Sequence, residues 1–147
     1  MMMNRTVFAA AILALGIGAL VAEESPIKAR KALMKANGDH AKIVAAMAKG
    51  EAPFDAAKAR TAFATFHGAA VKMPNLFPEN SKTGEETAAL PKIWEDMADF
   101  KARFAKFAKD AEEAQASVTD LASLKTALGV VGKDCGGCHE LYRKKKT

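Results

Sequence analysis

Residues 91–118 read PKIWEDMADFKARFAKFAKDAEEAQASV, and this stretch decides the fold. Ile93, Met97, Phe100, Phe104, Phe107, Ala111, Ala114 and Val118 follow one another at spacings of 4, 3, 4, 3, 4, 3 and 4 residues. That is the repeat of a helix with one apolar face. It predicts one helix over 91–117 that buries this seam against other helices. A second seam follows, Leu121, Leu124, Leu128, Val131, Cys135, Cys138 and Tyr142, at spacings of 3, 4, 3, 4, 3 and 4. It predicts a helix from 119 or 120 to 144 with both cysteines on its core-facing stripe.

Upstream the punctuation marks two more helices. Ser25 suits an N-cap, Pro26 a first helical position and Gly50 a terminator, which gives a helix over 26–49. Pro53 and Asp55 open a helix over 55–72, and Pro74 and Pro78 close it. The longest connection is 75–89. β-Branched residues are scarce and nothing alternates with period two. A chain of 147 residues is one domain in size. Four amphipathic helices with short connections predict an all-α fold, an antiparallel up-and-down four-helix bundle. Gly129, Gly132, Gly136 and Gly137 weaken the last helix, so a bound group is expected to hold it.

Composition narrows the function classes. With 27% charged residues the chain is not an integral membrane bundle, and with 2 cysteines it is not a disulfide scaffold. A formal charge of +5 needs no nucleic acid to explain it. Residues 1–22 have the layout of a secretory signal peptide: Arg5, then an uncharged apolar run from Val7 to Ala22, then Glu23, Glu24 and Pro26. The run is shorter than the ~20 apolar residues of a spanning helix. The expectation is an exported, periplasmic domain over 23–147, with no membrane attachment after cleavage.

Near the C-terminus stands Cys135-Gly136-Gly137-Cys138-His139. C-x-x-C-H reads as covalent attachment of c-type haem. Each thiol adds to one vinyl group, and the adjacent histidine supplies an axial nitrogen to the iron. The two glycines leave room for the macrocycle. Two other readings compete. A C-x-x-C can be a disulfide or a thiol-redox pair, but that motif normally follows a strand. A zinc site would need a fourth ligand from His40, His67 or a carboxylate. Neither histidine has a spacing partner that suggests a metal.

The chain also resembles the class II c-type cytochromes, the cytochrome c′ family. The resemblance runs through Lys49-Gly50-Glu51-Ala52-Pro53-Phe54-Asp55, Leu76-Phe77-Pro78, Pro91-Lys92-Ile93-Trp94 and Cys135 to Arg143. A haem motif at the C-terminal end is specific, because class I cytochromes carry it near the N-terminus. The family has a five-coordinate, high-spin kind that binds nitric oxide or carbon monoxide. It also has a six-coordinate, low-spin kind, cytochrome c-556, with a methionine ligand from the first helix. The stretch Lys31-Ala32-Leu33-Met34-Lys35-Ala36-Asn37-Gly38 resembles the second kind. The resemblance further implies that Arg30 pairs with a haem propionate. Trp94 and Phe77 are expected on the haem edge, although a single tryptophan also reads as ordinary core; Tyr142 and Arg143 follow His139 by three and four residues and are expected on the proximal side.

Helix geometry tests the methionine separately. Met34 lies ~12 Å into the first helix and His139 ~7 Å from the end of the last, at 1.5 Å per residue. In an up-and-down bundle those levels are one turn apart. Met47 falls at the opposite end, Met73 at a fraying end, and Met97 on an apolar seam. On this geometry alone Met34 reads equally well as packing or as ligand; the resemblance favours the ligand. The expectation is a carrier of one electron on haem c, one per chain, with His139 and Met34 on the iron. Its partners are redox proteins, steered by Lys28, Lys35, Lys92 and Lys144–Lys146. No catalytic dyad or triad is visible, and the chain fits a monomer or a homodimer.

Overall fold

The computed structural model describes residues 25–145. The leader read over 1–22, with its Arg5, and Lys146 lie outside the described residues. Four long helices form the antiparallel up-and-down bundle: α1 (Pro26–Lys49), α2 (Ala56–Lys72), α4 (Met97–Ser117) and α5 (Leu121–Tyr142), with a short α3 (Lys92–Glu95) before α4. Neighbours in sequence are neighbours in space, and α1 closes the ring against α5. Among the described residues no helix is long and apolar enough to cross a membrane.

The ends follow from local chemistry. α1 starts at Pro26 and stops at Gly50, whose φ of 77° is left-handed. Asp55 caps α2, accepting from the Lys58 amide at 3.0 Å. Asp120 and Ser123 cap α5 reciprocally. The core holds Phe63, Phe66, Phe100, Phe104 and Phe107, with Val44, Leu124 and Val131.

Two expected boundaries are corrected. The single helix read over 91–117 is broken at Asp96, with φ −132° and ψ 58°. The Asp96 carboxylate accepts from the Asp99 amide at 3.2 Å, so it caps α4 instead of continuing the helix. The seam survives, since Ile93 and Phe100 on either side are both buried. The last helix ends at Tyr142, not at 144. Arg143 turns extended and bridges Ala89. There Leu90 N–H donates to Tyr142 O at 2.9 Å and Lys144 N–H to Ala88 O at 2.8 Å. The long connection is thereby stitched to the chain just beyond His139.

Candidate functional site

At the end of the bundle where α1 and α5 meet lies a cleft of about 920 Å³. This is at the upper end of the ~300–1,000 Å³ typical of cofactor sites. α5 contributes Cys135, Cys138 and His139, α1 contributes Met34, and Phe104 and Val131 form part of the floor. The two cysteines are not joined in a disulfide. Cys135 is exposed and Leu128 only half-buried. Positions of the α5 seam that packing would have covered thus open onto the cleft.

These features fit a flat, covalently held group. A Cβ placed at Gly132 or Gly136 would meet nothing within 4 Å, and one at Gly137 would meet only the tip of Arg103, at 3.8 Å. Burial pushes the Cys138 thiol up to about 11. A redox-active pair needs a depressed thiolate instead. Burial and then the charge of Arg143 push His139 below its usual value. The imidazole is held neutral, the form that binds metal. Among the described residues no three Cys, His, Asp or Glu side chains come together to hold an ion such as zinc.

The remaining expected site residues fare differently. Arg143 lines the cleft. Trp94 does not; its indole N–H donates to Phe77 O at 2.9 Å, and its ring meets the edge of Phe77, which does line the cleft. Arg30 lines the cleft but is 5% exposed and occupied. Its Nη1 donates to Leu76 O at 3.0 Å and Ser81 Oγ at 2.9 Å; its Nη2 donates to Ser81 O at 2.8 Å and Thr87 Oγ1 at 2.7 Å. The guanidinium lies over the Phe77 ring, 4.6 Å from its centroid. No carboxylate pairs with it among the described residues. Arg30 therefore clasps the long connection as well as facing the cleft. His67 faces the Ala108 carbonyl at 3.0 Å, which ties α2 to α4. Of the expected lysines, Lys35, Lys144 and Lys145 line the cleft; Lys28 and Lys92 are exposed elsewhere.

Sequence reading missed a proximal cluster. Tyr142 Oη donates to Asp99 Oδ2 at 2.5 Å, and Arg103 Nε donates to the same oxygen at 2.6 Å. Burial and Asp99 push the phenol up to about 12. The spacing of Asp99 and Arg103 was the available signal; their link to Tyr142 needs the fold. Asp134, directly before Cys135, was also missed, and it lines the cleft.

The chain matches known proteins over nearly its whole described length. The family model described as Cytochrome C′ matches residues 25–143. A cytochrome c′ of Rhodopseudomonas palustris is 46% identical over 94% of this chain and 94% of its own length. A cytochrome c-556 of Agrobacterium fabrum is 42% identical over 82% of each chain. A solved structure of cytochrome c′ from Rhodopseudomonas palustris superposes with a TM-score of 0.82 at 47% identity, covering 85% of this chain and 100% of that one. Thiols, neutral imidazole and cleft thus stand in a chain that matches one family over the whole bundle. It belongs to the cytochrome c′ family of electron-carrying proteins with covalently bound haem c.

Proposed function

We propose that this chain carries one electron on a low-spin haem held by Cys135 and Cys138, with His139 and Met34 on the iron. The observation that supports it is placement: Met34 on α1 and His139 on α5 line the same cleft. When bound, the haem supplies a one-electron iron couple. His139 offers its neutral ring as the proximal ligand. Met34 offers a thioether, which favours the ferrous state relative to a second imidazole. Two fixed protein ligands limit reorganisation as the electron comes and goes. Arg143 and the lysines at the mouth, Lys31, Lys35, Lys144 and Lys145, set a positive rim. That rim steers an acidic redox partner. On this reading the protein acts in the periplasm after its leader is removed. It is a carrier and not an enzyme, and it works as a monomer or a homodimer.

A second reading has support of its own, since a relative at 46% identity is named a cytochrome c′. In it the sixth site is open and takes nitric oxide or carbon monoxide. The optical spectrum of the oxidised and reduced holoprotein, before and after carbon monoxide, separates the two. A low-spin spectrum without response to the gas supports the Met34 ligand. Met34→Ala should then turn the spectrum high-spin and gas-sensitive. A wild-type spectrum that is already high-spin and shifts with the gas overturns the Met34 reading.

A further inference from the structure

The carboxyl of Asp134 has no part in the ligation described above, yet it is built into the cleft. It stands on α5 before Cys135, and its side chain is 8% exposed. Oδ1 accepts from Lys106 Nζ on α4 at 2.6 Å, while Oδ2 is buried with no donor. Lys106 also donates to Asp110 at 2.5 Å. One lysine therefore faces two carboxyls. Two ionised carboxylates beside one lysine repel; a proton on one relieves the repulsion.

The environment selects which one. Burial first, and then Asp110, push Asp134 up against the pull of Lys106. Lys106 holds Asp110 down. The rest of the cleft carries cations: Arg30 and Lys31 on α1, Arg103 on α4, which is paired with Asp99 at 2.6 Å, and Arg143, Lys144 and Lys145 at the end of α5, with the His139 ring between. α1 faces the same cleft with Asn37, which is neutral, and Lys35, which is paired with Asp39 at 2.6 Å. On α5 the neighbour is Cys135, a thioether anchor and not an iron ligand. The Lys106 side chain is 62% exposed and connects the pair with solvent.

We propose that Asp134 is a redox-linked proton site: it takes one proton from solvent as one electron reaches the haem in this cleft, and releases it when the electron leaves. The electron comes from the redox partner of the carrier's own reaction. The bond formed is O–H on Asp134, and the bond broken is O–H of the hydronium or buffer acid that delivers the proton. Only iron changes oxidation state. The cause is electrostatic: the ferric site is one unit more positive than the ferrous one, so it favours the carboxylate over the acid. This rests on the haem held by the cysteines and holds for either sixth ligand.

The test is the reduction potential of the holoprotein against pH, by spectroelectrochemistry from about pH 4 to about pH 9, a range that spans carboxyl titration. The wild-type potential is expected to fall as pH rises through the titration of Asp134. Each tenfold difference in its proton affinity between the two oxidation states appears as a drop of about 59 mV. Asp134→Asn is always neutral and should stay flat at the higher, acid-side potential. A flat wild type, or an Asp134→Asn protein with the wild-type slope, overturns the proposal. If Asp134→Asn fails to mature with haem, Lys106→Gln decides. Loss of the cation should move the step to higher pH, and an unmoved step overturns the proposal. The spectra taken in the same cell report the iron ligands, so failure here is distinguishable from failure of the Met34 ligation.

Discussion

Replacing Arg30 tests the clasp on the long connection. Arg30→Met removes all four Nη hydrogen bonds, but they do not count equally. Leu76 O is only partly buried and finds water. Ser81 Oγ still donates to Pro78 O, and Thr87 Oγ1 still accepts from the Ala89 amide at 3.2 Å. Ser81 O is left with no donor, and Ser81 is 2% exposed. An orphaned buried carbonyl costs ~1–3 kcal/mol and the lost Thr87 bond about 0.5–1.5 kcal/mol. The expected loss is ~2–4 kcal/mol, or roughly 10 °C in Tm for a domain of this size. Arg30→Lys keeps the charge but not the fork, and should lose about 2 kcal/mol. Urea titration of the holoprotein, followed by far-ultraviolet circular dichroism, measures both. A loss under about 0.5 kcal/mol for Arg30→Met at unchanged m-value would refute the reasoning. Full retention by Arg30→Lys would show that charge alone matters.

Three further outcomes are expected. The chain has a single tyrosine, so ultraviolet pH titration reports Tyr142 alone; its midpoint should lie at about 12, and a midpoint near the ordinary ~10 would count against the Asp99 contact. The folded state then keeps a proton that the unfolded chain has lost, so stability should fall as pH rises from ~10. Serine at both Cys135 and Cys138 should leave a chain whose haem separates under denaturing conditions, and covalent haem by mass in that variant would place the attachment elsewhere. Phe63 is fully buried in the core, and Phe63→Ala should cost ~3–5 kcal/mol by chemical denaturation, where less than about 1 kcal/mol would mean the cavity collapses.

What was legible in the chain was whatever repeats locally. The seams from Ile93 to Val118 and from Leu121 to Tyr142 announce two helices, and their amphipathic faces require partners. The site announced itself because Cys135, Cys138 and His139 are contiguous on one helix. The break at Asp96 was not legible, because Asp96 can end one helix or continue another and only packing decides. Nor was the Arg30 clasp, whose acceptors at Ser81 and Thr87 lie 51 and 57 residues away. The same holds for Lys106 and Asp134, 28 residues apart on different helices. Their meeting depends on how α4 and α5 align, which no spacing within either helix encodes.

Arg30 grips the long connection on both sides of its exposed tip, at Ser81 and at Thr87. Between those grips, residues 82–86 are exposed, and Glu85 and Glu86 hold left-handed φ of 45° and 54°. A protease that cuts after Lys82 would sever the backbone without freeing either end. The two fragments would remain one particle, joined by the packing of α2 on α4 and of α1 on α5 and by the Arg30 guanidinium, which donates to Ser81 on one fragment and to Thr87 on the other. This tip is therefore where a tag or a new pair of chain ends can be inserted, while a change a few residues downstream, at Thr87 to Leu90, would loosen the wall of the haem site.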